Sequence, residues 1–477
     1  MADTDQIQVA SDSKIGFGVQ TGKGVYTVAN KDFRYFPFTS SPYGIVQPVA
    51  NLPQEGGGDL TPKGSYKSGS WGQGGVQFIP RFVDDLGFIL ASVMGQDYYA
   101  TATPGPANGE NSAFGRSTED YTPAAATITF TAGHILDSAS GLGVYKVGDI
   151  IKVSNSVSNN ATPFTVTTAA AGDLTVTGNT VVEATPVKAT IALMSSIDAT
   201  ATGSQIHTFA FKAKQSDVPY VTVRKLLEGP TPLGEETVDN RFGQMELTLP
   251  NVGPMTCALE LNGRTPANRN MFYADPFNSV GSDPNSVGRS AWYDAANNGY
   301  DDDTAFGLSV DPNSVVKIAG GKIQCTGAVI TTANNLQQAD AGRIIGDITP
   351  LDFPVLSRVM SIRAQMFMTD DYIYRQLFTG SLTGRKFSSK IYAGDIDFRA
   401  YSAVGITSAS IATQYALQAL TNDTNVQWSL QGAVDPKPGQ PLTMTLVGTV
   451  QRPATPGKKY AMVRLQNAIS NAYPYVA

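Results

Sequence analysis

The stretch F-V-D-D-L-G-F-I-L-A-S-V-M-G (residues 82–95) decides the reading of this chain, because its pattern returns as M-T-D-D-Y-I-Y-R-Q-L-F-T-G at 368–380. Each copy sets two aspartates before a short apolar run and a glycine after it. Asp84/Asp85 and Asp370/Asp371 suit a helix N-terminus, where the dipole favours negative charge. Gly95 and Gly380 suit the left-handed turn that ends a helix. Phe82, Leu86, Ile89 or Leu90, and Val93 recur at helical spacing, which predicts a helix over 82–94. Each pattern follows a strand-like run in a chain otherwise full of strand signals. The expectation is two copies of one β-rich unit, each carrying a single short helix.

Outward from these helices, residues 239–262 carry the clearest strands. Met245, Leu247 and Leu249 alternate with Glu246 and Thr248. Beyond P-N-V-G-P, Met255, Cys257, Leu259 and Leu261 alternate with Thr256, Ala258 and Glu260. Period-two alternation on both sides of a turn predicts a hairpin with one apolar face. In 358–368, Met360, Ile362, Ala364, Met366 and Met368 share a face opposite Arg363 and Gln365. Further strands are expected at 390–400, 426–432 and 442–451. Gly56–Gly58, Pro62–Gly64 and Gly72–Gly75 mark turns or bends.

The fold class expected is mainly β, with sandwich or barrel units, each holding one short α-helix and present in duplicate. Residues 1–14 read as a flexible arm. Residues 15–121 and 203–265 form a first, discontinuous unit, 266–312 a linker, and 313–477 a second unit. A loop of small residues at 101–120 leads to an inserted small all-β domain at 122–202. That insert is poor in charge. Its short strands fall at Thr127–Thr131, Asp149–Val153, Phe164–Thr168, Leu174–Thr177 and Lys188–Leu193.

Composition narrows the function classes. Charged residues are 16% of the 477, below the roughly 25% of an average soluble protein, while hydrophobic residues are 42%. The chain therefore folds, and it suits extended sheets and protein–protein contacts. A net charge of −6 does not hold nucleic acid by neutralising phosphates. The N-terminal M-A-D-T-D-Q-I-Q-V-A-S-D-S-K lacks the basic and apolar regions of a signal peptide. No apolar run approaches the ~20 residues of a membrane span, so synthesis and folding in a cytoplasm are expected, without a membrane anchor. Cys257 and Cys325 show neither metal-ligand spacing nor a disulfide framework and read as buried free thiols.

Chemistry is hard to find. His134 and His207 have no local partner that suggests a triad or a metal site. Gly16, Gly18, Gly22 and Gly24 around Lys23 read as turns, since the spacing is neither dinucleotide-binding nor a P-loop. Asp301–Asp303 could gather around calcium, but the alternate-residue pattern and closing glutamate are missing. The paired aspartates at 84/85 and 370/371 point in different directions on a helix, so dipole capping accounts for them better than paired catalysis. Trp71, Trp292 and Trp428 suit core or interface better than a sugar platform. The reading is not an enzyme, with no catalytic residue, cofactor or metal.

The segments G-S-W-G-Q-G-G-V-Q-F-I-P-R-F-V-D-D-L-G-F-I-L-A-S-V-M-G (69–95) and N-R-F-G-Q-M-E-L-T-L-P-N-V-G-P-M-T-C-A-L-E-L-N-G (240–263) resemble tail tube (major tail) proteins of long-tailed bacteriophages. Residues 144–168 and 174–176 are similar to a small β-module found inside such proteins. The resemblance implies a virion structural protein that self-assembles into stacked rings. These form the hollow tail tube that delivers genomic DNA. The DNA slides through a neutral to acidic lumen without specific binding. It implies tape-measure, tail-terminator and distal tail proteins as partners, and virion-tail localisation after synthesis in the host bacterium. If the helices mark a duplication, three chains give a ring of six similar units; otherwise six chains do. The insert would project outwards, and residues 1–14, 52–76 and 263–312 are candidate ring-to-ring contacts. The alternatives are a secreted or surface glycan-binding, adhesin-type β-protein, which predicts a secretion signal; a β-rich hydrolase of cell-wall sugars, which predicts a pocket with two carboxylates; or another phage part such as a tail terminator or decoration protein.

Overall fold

The computed structural model describes residues 13–25, 33–36, 38–52, 64–82, 85–95, 116–124, 127–129, 150–154, 163–170, 173–177, 187–193, 205–211, 218–227, 233–251, 253–266, 272–273, 315–318, 321–323, 325–345, 347–368, 371–381, 384–389, 391–394, 396–407, 412–421, 425–432, 434, 436–452 and 461–467. The first stretch holds β1 (Lys14–Val19), β2 (Phe33–Phe36), β3 (Gly44–Val46), β4 (Val49–Asn51), β5 (Ser65–Lys67), β6 (Trp71–Phe78) and helix α1 (Asp85–Met94). Next come β7 (Arg116–Ala124), β8 (Thr127–Thr129), β9 (Ile150–Ser154), β10 (Pro163–Ala170), β11 (Asp173–Thr177) and β12 (Val187–Leu193). They are followed by β13 (Gln205–Ala210), β14 (Val221–Leu227), β15 (Leu233–Pro250), β16 (Thr256–Arg264) and β17 (Phe272–Tyr273). The rest comprises β18 (Val315–Ile318), β19 (Gly321–Ile323), β20 (Cys325–Ala333), β21 (Val359–Phe367), helix α2 (Tyr372–Thr379), β22 (Tyr392–Gly394), β23 (Ile396–Thr407), β24 (Ala412–Leu420), β25 (Val426–Leu430), β26 (Thr443–Val450) and β27 (Met462–Asn467).

The chain is mainly β. Nine strands make one continuous run in the order β3-β6-β16-β15-β20-β21-β26-β25-β22. The first part of β15 also belongs to a second layer, where β14 and β17 flank it and β1 and β2 extend it. A third layer runs β13-β27-β24-β23-β18-β19. Strands β7 to β12 pair only among themselves in the described residues, and their circuit closes into a barrel.

The hairpin forms as its alternation dictates, though its first strand begins at Leu233 rather than near 239. Met245 faces Leu259 and Leu247 faces Cys257 across the ladder, and all four are at most 1% exposed. Each such apolar side chain contributes about 1.5–3 kcal/mol by leaving water. Met360, Ile362, Ala364 and Met366 of β21 are likewise buried beside exposed Arg363 and Gln365. Met368 lies just past the strand end and is half-buried. These side chains join one core cluster with residues from both halves. Phe164, Val166, Leu174 and Val176 of the barrel are buried outside that cluster.

Three expectations need correction. The stretch 101–120 is not all loop: β7 begins at Arg116 and crosses the boundary drawn at 121/122. Gly16 and Gly18 lie within β1, not in turns. Residues 72–75 do not turn either. They run through β6, and their glycines make room for Pro42 and Tyr43. A Cβ on Gly72 would sit 2.4 Å from the Tyr43 hydroxyl, and Gly74 (φ +142) packs on the Tyr43 backbone. The first helix forms as expected, and α1 has no solvent face: all ten of its residues are buried. A helix apolar all round belongs inside a core. Its interior position leaves terminal carbonyls to be satisfied by side chains. Asn334 Nδ2 donates to the Val93 carbonyl at 2.9 Å and Arg358 Nη1 to that of Met94 at 3.4 Å. Asn467 Nδ2 donates to the Phe82 carbonyl at 2.7 Å, just ahead of the helix. Gly95 (φ 101) and Gly380 (φ 70) end the two helices in the positive-φ region, as expected.

Gly72→Ala tests the close approach. Urea unfolding is expected to show a loss of about 1–3 kcal/mol from overpacking. A loss under about 0.5 kcal/mol would mean that Tyr43 moves aside freely.

Candidate functional site

The nine-strand run presents one extended outer face. The ladder registers align Gln77, Ala258, Glu246, Thr331, Ser361, Thr449, Gln427 and Ala393 in one row across eight strands. A second row is Thr256, Thr248, Val329, Arg363, Val447 and Ser429. A third is Gly75, Glu260, Gln244, Ala333 and Val359. Hydroxyl, amide and small side chains dominate, and Glu246, Glu260 and Arg363 are the only charges in the three rows. Such a surface offers hydrogen bonds to water without a charge field that would hold a polyanion.

The order of strands within the run repeats. In β3-β6-β16-β15, the strand before α1 pairs with the second strand of the later hairpin. In β20-β21-β26-β25, the strand before α2 does the same. The flanking pairs also match: β1–β2 with β18–β19, β1–β14 with β18–β23, β14–β15 with β23–β24, and β15–β17 with β24–β27. The two groups join where β15 pairs β20 over seven residue pairs, Gln244↔Ala333 to Pro250↔Gly327.

The two ends of the run differ from this junction. At one end is β3, whose strand partner among the described residues is β6 alone. At the other end, β25 carries only the short β22, through Tyr392↔Trp428, Ala393↔Gln427 and Gly394↔Val426. The helix there is also less covered than α1. In α2, Ile373 is buried while Phe378 is 38% exposed. Beside it, Phe387 (81%) and Ile391 (63%) line a cleft of about 670 Å³ with Trp428 and Leu430.

A buried polar knot fixes the bend where β15 leaves one layer for the next. Register shifts against both β14 and β16 mark this bend. Asp239 adopts φ 50 there, a conformation that a short polar side chain tolerates. Its carboxylate accepts from Gly24 N at 2.8 Å, Gln20 Nε2 at 3.2 Å and Arg264 Nη1 at 3.1 Å. Arg264 Nε donates to the Pro350 carbonyl at 2.7 Å, and Arg241 Nη1 to that of Phe353 at 3.3 Å. Arg241 also stacks 4.1 Å over the Tyr220 ring, whose hydroxyl donates to Asp352 at 3.0 Å. Nearby, Arg224 and Glu236 form a 2.7 Å ion pair that is almost wholly buried. The Tyr43 hydroxyl bonds Thr237 and Asn240, and burial holds its pKa well above the ordinary phenol value. These groups bond one another and clamp the bend to the loop after β20; they set geometry.

The predicted candidates scatter. His207 is buried in β13, stacked 6.5 Å from Phe209. Asp85, buried in the first turn of α1, lies 3.6 Å from Arg81; Asp371 precedes α2, makes no cap hydrogen bond from its side chain and pairs with Arg375. Lys23 lies 3.7 Å from Asp352. Trp71 and Trp428 are buried, so neither is a sugar platform. Cys257 and Cys325 are free thiols with pKa values raised by burial, but only Cys257 is buried; Cys325 is half-exposed and donates to the Gly327 carbonyl. His134, Trp292, Asp84, Asp370 and Asp301–Asp303 lie outside the described residues. Among the described residues, no three His, Cys, Asp or Glu side chains are grouped to hold a metal. Likewise, no helix there is long and apolar enough to cross a membrane. The strand edges were missed by sequence reasoning, which detects strands but not their neighbours.

No protein-family model matches this chain, and comparison with curated proteins finds no match.

The knot predicts an alkaline limit. Burial, partly opposed by Arg241 and helped by Asp352, pushes the Tyr220 hydroxyl from 10.0 up to about 12. A pKa raised by folding gives stability that is complete below the unfolded value and fades as pH rises through the folded one. Urea midpoints are therefore expected to fall between pH 10 and 12, and Tyr220→Phe to flatten part of that fall. An unchanged slope in the variant would remove Tyr220 from the cause.

Proposed function

We propose that this chain is a tail-tube protein of a long-tailed bacteriophage, a self-assembling subunit of the conduit for DNA. The observation that carries the reading is the nine-strand run. Its outer face is nearly uncharged, and its two four-strand groups share one order and join edge to edge. We read the groups as a duplicated unit. The β15–β20 junction is then a template for the contact between subunits, and three chains supply about 24 strands to a closed barrel. At about 4.8 Å between strands and a tilt near 40°, such a barrel has a backbone diameter of roughly 50 Å. Its lumen is lined by the Gln, Thr, Ser and Ala rows. The negative net charge agrees with a channel that DNA crosses without sticking.

The loops β3–β6 and β20–β21 leave the same rim of the sheet. They expose Val49, Leu52 and Tyr66 in one and Ile344, Ile345, Ile348, Leu351 and Leu356 in the other. Apolar groups exposed at one rim suit the contact between stacked rings. The barrel of β7 to β12 enters the chain between α1 and β13, behind the outer face, and projects from the tube wall. Tape-measure, tail-terminator and distal tail proteins are the partners this role requires.

Electron microscopy of the concentrated protein, with and without a tail-initiation complex as seed, tests the reading. Hollow tubes with threefold rings are expected; sixfold rings of whole chains would overturn the duplication, and particles that remain monomeric even when seeded would overturn the tube. Deleting 122–202 is expected to leave tubes intact, and loss of assembly by a folded deletion variant would refute the outward placement. Thr331→Lys with Thr449→Lys should keep assembly but lower infectivity at least about tenfold, by holding phosphates in the lumen. Unchanged infectivity would take these rows out of the lumen.

A further inference from the structure

We infer that β22 is a removable guard on the growing edge of the subunit, and that a second copy of this chain displaces it through β3. The inference rests on the ring reading above, and three observations support it. First, β15 and β25 hold equivalent places, yet β15 is covered by seven residue pairs to β20 and β25 by three to β22. Second, the first strands outside the small barrel that follow the two helices behave differently. After α1, β13 crosses to the other half and pairs β27 from Gln205↔Asn467 to Ala210↔Met462. After α2, β22 folds back on its own half and occupies the edge that β20 fills at the internal junction. Third, α1 is fully buried and receives Asn334 and Arg358 from the other half, whereas α2 leaves Phe378 exposed. Phe387 and Ile391, just ahead of β22, are exposed at the same place.

All three differences vanish if a neighbour repeats the internal junction. Its edge segment from Ser40 to Val46, which ends in β3 and runs along β6 from the Ser40↔Gln77 bridge to Val46↔Trp71, takes the edge of β25, as β20 takes that of β15. The released β22 then pairs the neighbour's β17, as β13 pairs β27. The neighbour's loop after β3 covers α2 and the cleft beside it. A short, weakly paired strand suits this duty, because it blocks edge-to-edge aggregation before assembly and gives up only three residue pairs when displaced. The contact is head-to-tail and closes a ring by rotation.

A disulfide across the guard tests this. Ala393 and Gln427 are direct cross-strand partners with exposed side chains, so their Cα separation fits the ~4.4–6.8 Å of a disulfide. The variant Ala393→Cys with Gln427→Cys, built on Cys325→Ser, is compared oxidised and reduced for tube formation by turbidity and electron microscopy. The expected result is no tubes when oxidised, and wild-type lag and yield once reduced. Tubes from the fully oxidised protein would overturn the guard and leave the tube reading standing. Failure of wild type as well as both variant forms to assemble, even with seeds, would overturn the tube reading and the guard with it.

Discussion

The pairing of β15 with β20 is the constraint on which the rest of this structure depends. An antiparallel sheet has two edges of unbonded backbone groups, and each must be paired, covered or blunted. Here the edge of one half closes the edge of the other over seven residue pairs. That ladder aligns the outer rows across eight strands. It also brings Asn334 and Arg358 to the end of α1, where the Val93 and Met94 carbonyls need donors. Without it α1 would expose an apolar face, and two separate cores would replace the one that spans both halves.

The polar knot at the bend is the counterpart of that ladder. A strand that serves two layers must break its register somewhere, and β15 does so around Asp239. The break leaves backbone groups and charges inside the protein. Gln20, Arg264, Asn240 and Arg224 answer them through hydrogen bonds and ion pairs. Buried pairs of this kind add little net stability against well-packed apolar groups, and removing one partner is costly. They select one geometry, and here that geometry holds the loop at 349–353 against the bend.

Much of the secondary structure was legible in the residues. The alternation in β15, β16 and β21 named the buried side chains. The strands of the small barrel fell close to their predicted places except β7, whose R-S-T-E-D-Y-T-P-A run carries charge and a proline that mask a strand. The glycines of β6 misled for a different reason. Glycine marks a turn or a close backbone approach, and local sequence does not distinguish them. The helical spacing placed α1 correctly, while its remaining positions, Gly87, Ala91 and Ser92 among them, are small enough to pack as well, so the whole helix is enclosed.

The sequence by itself determined where the main hairpin and helices lie, which face of those strands is apolar, and the low charge that leaves a neutral outer surface. Period two, period 3.6 and terminal glycines are local properties, written within a few residues of where they act. Only the tertiary structure decided which strand neighbours which, that α1 is enclosed while α2 stays partly bare, and that β3 and the short β22 end the run. Those outcomes depend on contacts between residues far apart in the chain, such as Val93 with Asn334 or Gln20 with Asp239. Backbone hydrogen bonding is the same for every strand edge, so the residues of one strand do not encode its partner. The choice is made by the packing of the whole core.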